Sequence, residues 1–346
     1  MESLVLQKAP PLDPAWLQYE SEANLLAPRP VIGQLERQPI YAAQCRELDG
    51  SMMAPGAPYH HLSQGITRTE LTVTGGDGWL IPVLKYELTE EPELADKPWY
   101  IIIYYHGGGL HVGEADSEDL QCRRILKESG LQNITLYSVG YRLKPKYTAS
   151  LAVADCMDAF NWIVDSNGQL RERWGPRYLI VGSSSGGELA ALVSQAAPKG
   201  SIHGLVLRCP VTSDAFKGPE YVPEKLRPLH TSAWDMSFST SLLTVMTREI
   251  PRDGLERMPL EAPEEQLQGL PRTWIQVCSN DMLYSDGLCY AKALQDAGVD
   301  VKLEVVKGWP HTFWLKAPQL PQALAADKAM LKGLAWVAGE DESIVL

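Results

Sequence analysis

An α/β architecture with a mostly parallel central sheet is predicted by three observations. Continuous apolar runs of strand length recur along the chain, bounded by turn residues. Segments with apolar residues at three-to-four spacing lie between them. Two glycine-rich stretches, His106–Gly109 and Gly182–Gly187, directly follow such runs, where loops at the carboxyl ends of parallel strands carry sites.

The elements follow in order. Residues 1–66 are rich in proline and aromatics, lack a long periodic segment, and suggest only a short helix over 15–26. Runs at 67–73 and 79–87, joined by Gly75-Gly76-Asp77-Gly78, predict an antiparallel hairpin. The run 99–105 is apolar throughout, as a strand buried on both faces requires. Similar runs stand at 134–139, 178–181, 205–207, 274–277 and 301–306. Helical spacing marks 117–127, 151–164, 187–195, 286–297 and 321–337. From 213 to 262 the alternation breaks into a proline-punctuated stretch with one helix expected at 241–248. A connection that long is usually functional. The expected division is therefore a core of 67–212 and 263–346, with 1–66 and 213–262 forming a cap or lid over one site.

Composition narrows the partners. The chain has 346 residues, 45% hydrophobic and 21% charged, which are the proportions of a globular protein able to bury its own core. Lys plus Arg number 31 against 43 Asp plus Glu, a net charge of −12 with no basic cluster. Polyanions such as nucleic acid are thereby disfavoured. Six cysteines show no CxxC and read as reduced, buried thiols. No basic leader with an apolar run opens the sequence and no stretch approaches 18 apolar residues, so a cytoplasmic protein with no membrane span is expected.

Gly182-Ser183-Ser184-Ser185-Gly186 lies between a predicted strand and helix, the setting of a nucleophile elbow. Only Ser184 has glycine at both −2 and +2. On so sharp a turn, side chains at those two positions would collide. Chance supplies about 0.14 such matches in a chain of this composition, so the motif alone is weak. His106-Gly107-Gly108-Gly109 is far stronger, with about 0.004 matches by chance. Glycines at a strand end can aim N–H groups at an oxyanion. The expected donors are Gly108, Gly109 and Ser185, with Gly107 as a further candidate.

A serine nucleophile needs a base, and the base an orienting carboxylate. In this fold class the chain order is Ser, acid, His. Asp281 follows the run 274–277 and His311 follows 301–306, both at carboxyl ends. His203 begins a strand, the wrong end. His230 lies in the insertion, where a substrate contact is open to it. Asp286, the rival acid, is expected to cap the next helix.

These residues resemble the hormone-sensitive-lipase-like branch of α/β-hydrolases, which contains carboxylesterases. The resemblance rests on His106–Gly109, Gly182–Gly187, the Tyr141-Arg142-Leu143-Lys144-Pro145 block, Asp281–Gly287 and Gly308–Phe313. It implies the α/β-hydrolase fold with a helical cap and a serine esterase mechanism without cofactor or metal. It also implies a catalytic set of Ser184, Asp281 and His311. Ser183, Gly140, Lys146 and Ser285 depart from the family pattern. The cap also resembles that of hydrolases in fungal natural-product pathways. The same machinery serves dehydration, cyclisation or acyl transfer in relatives of this branch, and non-catalytic hormone receptors share the fold.

The expected partner is a small neutral ester, with the chain a monomer or homodimer. Trp16, Tyr19, Met236, Phe238, Leu242, Leu243 and Met246 are candidates to line an acyl pocket, although packing is the expected role of most. His111 is either a substrate contact or a solvated loop residue. His60-His61 reads as a surface pair, Arg142 as an ion-pairing residue, and Trp309, Pro310 and Phe313 as supports of the His311 loop.

Overall fold

The apolar runs become eight strands of one sheet. The computed structural model describes residues 1–28, 31–90, 98–168, 175–244 and 251–345. The strands are β1 (Ile66–Thr74), β2 (Leu80–Leu88), β3 (Trp99–Tyr105), β4 (Ile134–Val139), β5 (Pro176–Ser183), β6 (Gly204–Arg208), β7 (Arg272–Asn280) and β8 (Val301–Pro310). Their spatial order is β1-β2-β4-β3-β5-β6-β7-β8. β1 and β2 form the expected hairpin, closing with Thr74 opposite Leu80, and β2 meets β4 antiparallel. All remaining neighbours are parallel.

Two helices precede the sheet, α1 (Pro14–Glu22) and α2 (Gln34–Met53). The rest are α3 (Asp119–Glu128), α4 (Ala149–Asn167), α5 (Ser185–Ala196), the single turn α6 (Glu264–Leu267), α7 (Tyr284–Asp296) and α8 (Pro321–Ala338). Alternate residues of β3 feed two cores, as the period of a strand requires. Ile101, Ile103 and Tyr105 pack with Phe160 and Ile163 of α4 and with α5 and α7. Tyr100, Ile102 and Tyr104 pack with Ile125 of α3 and with Met330, Leu331 and Leu334 of α8. Covering both faces with helices explains why these strands are apolar throughout rather than alternating.

The 20-residue helix α2 overturns the expectation that 1–66 lacks a long helix. It fully buries only Ala42 and carries Pro39 internally, while Tyr41, Cys45, Leu48, Met52 and Met53 are half-buried along the same face. Polar contacts reinforce the docking of that face. Gln38 donates to the carbonyls of His111 and Lys144, Arg46 pairs with Asp116 and Glu114, and Asp49 accepts from the Leu120 N–H. The helix expected at 241–248 is not found: 241–244 are non-helical, and 245–250, with Met246, lie outside the described residues. The described part of the insertion is a series of 3-10 turns.

Candidate active site

Ser184 stands between β5 and α5 at φ 54°, ψ −120°, a strained conformation for a residue with a side chain. The turn is closed by its neighbours. A Cβ on Gly182 would fall 2.2 Å from the Gly186 carbonyl oxygen, and one on Gly186 would fall 2.0 Å from that of Tyr105. The two glycines are therefore a steric requirement of the turn. The Ser184 N–H donates to the Arg208 carbonyl at 2.8 Å, fixing the elbow to the end of β6.

β7 and β8 deliver the partners. Asp281 follows β7 at its carboxyl end, beside a register shift between Cys278 and Asn280, and His311 follows β8. His311 Nδ1 lies 2.7 Å from Asp281 Oδ2, and Nε2 lies 2.9 Å from Ser184 Oγ. The carboxylate can only accept, so Nδ1 carries the hydrogen and Nε2 faces the serine as an acceptor. The Leu283 N–H holds the other Asp281 oxygen at 2.9 Å. All three side chains are buried, with Ser184 at 8% and His311 at 7% exposure.

The His106–Gly109 loop leaves β3 beside this group, and a Cβ on Gly107 would lie 3.3 Å from that of Ser184. Gly108 adopts φ +121° and Gly109 φ +65°, and a Cβ on Gly108 would collide with the Val112 carbonyl at 2.0 Å. Their N–H groups, with that of Ser185, donate to nothing among the described residues. Gly107 is a correction: its N–H donates to Glu118 Oε1 at 2.7 Å and is not free for an oxyanion. The His106 ring stacks on Tyr141 at 4.3 Å. Burial pulls its pKa down to about 4, so the ring is neutral and Nδ1–H donates to the Gly107 carbonyl at 2.7 Å. The Gly107 C=O and the Gly108 N–H share a planar trans peptide and point in opposite directions. Fixing one therefore fixes the other.

A family model described as the alpha/beta hydrolase fold matches residues 102–315, more than half of the chain and the whole span of these groups. The chain belongs to the α/β-hydrolase family. It is 31% identical over 259 residues to the ethyl acetate hydrolase of Pseudomonas putida, covering 71% of this chain and 75% of that one. It is 26% identical over 256 residues to the versiconal hemiacetal acetate esterase of Dothistroma septosporum, covering 70% and 75%. It also matches the FAD-linked oxidoreductase pytB of Aspergillus terreus, 29% identical over 260 residues, and there spans only 30% of the relative's length. An esterase structure from Pyrobaculum calidifontis superposes with a TM-score of 0.72 at 23% identity over 95% of this chain and 99% of that one. A vibralactone cyclase structure gives 0.76 at 19% identity over 96% of each. Both structures show the fold.

In this α/β-hydrolase several pocket candidates prove to be packing residues. Trp16 is fully buried in a cluster with Trp309, Phe313 and Trp314. Phe238 is fully buried against Tyr284, while Met236 is 67% exposed. Trp16 and Phe238 thus offer a ligand no surface. Leu242 packs at the edge of the Trp16 cluster, Leu243 packs against the main core, and the Tyr19 hydroxyl donates to the Lys316 carbonyl. His111 stands beside Gly109, about one van der Waals contact from where a Cβ there would lie.

His230 and Asp286 also depart from expectation. Asp286 lies inside α7 and accepts from the N–H groups of Thr212 and Ser213 and from the His230 ring. It therefore ties the insertion to α7 instead of capping that helix, and His230, 1% exposed, has no face for substrate. Ser285 accepts from Thr231 and Ser232, so its hydroxyl fastens the same insertion. Arg142 pairs with Asp155 through two nitrogens and with Asp77, the ion pairing expected of it. His61 pairs with Glu128 at the surface.

The electrostatics favour a base held by its partner. Burial disfavours a charged His311, but the Asp281 carboxylate outweighs it and raises the ring above its ordinary value. Cys209 is the neighbour that sequence reasoning missed. Its sulfur lies within 4.8 Å of ligand atoms of Asp281 and His311, at a left-handed φ of 45°. Its place, two residues before Val211 at the end of β6, is a parallel-strand carboxyl end like those of the other site residues.

Proposed function

We propose that this chain is a serine carboxylesterase that hydrolyses a neutral ester of small to medium size through an acyl-enzyme. The observation that carries the reading is the continuous chain Ser184–His311–Asp281, facing N–H groups without acceptors. Ser184 Oγ attacks the ester carbonyl as His311 Nε2 takes its proton. Asp281 holds the Nδ1–H tautomer and stabilises the imidazolium. The carbonyl oxygen, now an anion, is received by the N–H groups of Gly108, Gly109 and Ser185. One lost donor of this kind costs about 3–4 kcal/mol. His311 then protonates the leaving alcohol. Water repeats the sequence on the acyl-enzyme and restores Ser184.

Residues 1–66 and 213–262 are read as the cap that shapes the acyl pocket. Support comes from their mutual contacts: the Ala9 N–H donates to Ser237, and Thr231 donates to the Leu6 carbonyl. A net charge of −12 favours a neutral ester over a multiply anionic one. The ethyl acetate and hemiacetal acetate esters in the relatives' names make short acyl chains the first substrates to try.

The test is a panel of p-nitrophenyl esters from acetate to decanoate, with intact mass after treatment with a fluorophosphonate. We expect turnover on the shorter esters and a single adduct on Ser184. Ser184→Ala should abolish both while leaving the unfolding temperature unchanged. Full turnover in Ser184→Ala would overturn the assignment.

A further inference from the structure

We propose that Glu118 is a positioning residue for ester hydrolysis, its buried carboxylate gripping the Gly107 N–H and thereby fixing the loop whose next two N–H groups receive the oxyanion. The inference rests on the serine esterase reading above.

Glu118 occupies the position before α3, yet its side chain caps nothing there. It turns back toward the end of β3 and is only 5% exposed. One carboxylate oxygen accepts the Gly107 N–H at 2.7 Å, and the other accepts the Tyr104 hydroxyl. Tyr104 lies in β3 and Gly107 lies just beyond it, so the carboxylate spans the exit of the strand. Gly107 is then held at both ends, by Glu118 through its N–H and by His106 through its carbonyl.

The need for such a grip follows from the sequence. Three consecutive glycines have more backbone freedom than any other tripeptide, and that freedom must be removed before the chemical step. Donors that point correctly only part of the time stabilise a transition state correspondingly less. A buried carboxylate is also a costly way to satisfy one N–H and one O–H, because burial opposes its charge and raises its pKa above the usual range. Simple packing does not call for it.

The grip is itself held from α2. Asp49 accepts the Leu120 N–H two residues beyond Glu118, and Arg46 pairs with Asp116 two residues before it. A small cavity between α2 and this segment is lined by Tyr41, Cys45, Asp49, Glu118, Gln121 and Trp314.

Two variants separate position from charge. Glu118→Gln keeps the side-chain length and an oxygen for the Gly107 N–H, and its amide can donate to the Tyr104 hydroxyl oxygen. Glu118→Asp keeps the charge but is one methylene short of spanning Tyr104 and Gly107. Steady-state kinetics on p-nitrophenyl butyrate, with thermal unfolding of each protein, provide the readout. We expect Glu118→Gln to stay within about fivefold of wild-type kcat. Glu118→Asp should lose about 10–100-fold in kcat, with KM within about threefold. Wild-type kcat in Glu118→Asp overturns the inference. So does a loss in Glu118→Gln equal to or greater than that in Glu118→Asp, or a loss in either variant that falls on KM. No turnover by the wild type would instead overturn the esterase reading, so the two failures are distinguishable.

Discussion

Replacing Asp281 with asparagine changes almost no volume and reverses one hydrogen bond. The Leu283 N–H donates to Asp281 Oδ1 at 2.9 Å, so an amide at this position turns its carbonyl oxygen there. Its NH2 group then occupies the Oδ2 position, 2.7 Å from His311 Nδ1. An NH2 group can only donate, so Nδ1 becomes the acceptor and the ring hydrogen moves to Nε2, against Ser184. The base is lost although every heavy atom stays in place. A wrong tautomer of this kind costs about 10⁴-fold in kcat, or about 5.5 kcal/mol of transition-state stabilisation. The assay is initial-rate hydrolysis of p-nitrophenyl acetate by Asp281→Asn at pH 8, with near-ultraviolet circular dichroism to show native packing. A kcat within tenfold of wild type in a natively packed variant would refute the tautomer argument.

Three further outcomes are expected. His311 is raised by Asp281, and the base works only when neutral. The fraction of active enzyme therefore falls as pH drops through the raised value. The acid limb of kcat/KM should thus lie above the ordinary histidine value of about 6.5, and a midpoint below 6 contradicts this. Gly186→Ala sets a Cβ 2.0 Å from the Tyr105 carbonyl oxygen and 2.5 Å from that of His106, both backbone atoms. It should destabilise by about 3 kcal/mol or more, and an unchanged urea midpoint argues against the turn geometry. Arg142→Ala leaves the fully buried Asp155 carboxylate without its guanidinium and should cost about 3–5 kcal/mol. Equal stability of variant and wild type in guanidinium titrations counts against that pair as a structural support.

Much of this was legible in the residues. Doubly covered strands are apolar on both faces with few exceptions, so 99–105 and 134–139, the latter broken only by the buried Thr135 and Ser138, coincide with β3 and β4 residue for residue. Glycine spacing around Ser184 reports a collision that the coordinates measure directly. What stayed hidden depends on contacts distant in sequence. α2 docks in part through the polar residues Gln38, Arg46 and Asp49, and carries a helix-breaking Pro39, so its apolar spacing alone does not mark it as a long helix. Glycine identity alone cannot show that the Gly107 N–H, a further oxyanion candidate, is taken by Glu118. Trp16 and Phe238 could only be named as candidates for pocket or packing, because aromatic identity does not distinguish a ligand wall from a core; both pack. Cys209 joined the site only when β6 and β7 were placed side by side.

The segment Leu4–Tyr19 is fastened to residues far later in the chain, between 280 and 316. The Leu4 carbonyl accepts from Tyr284, the Pro10 carbonyl from Asn280, the Asp13 N–H reaches Gly308, and Tyr19 reaches Lys316. Asn280 adjoins Asp281 and Gly308 lies three residues before His311, the two side chains proposed to activate Ser184. Each of these links closes a loop of some 270 to 300 residues. Contacts of such long range form late, after local helices and neighbouring strands have condensed. On a ribosome, the segment waits for some 270 to 300 further residues before its partners exist. The proposed partners of Ser184 thus gain these supports from a segment made some 270 residues before them.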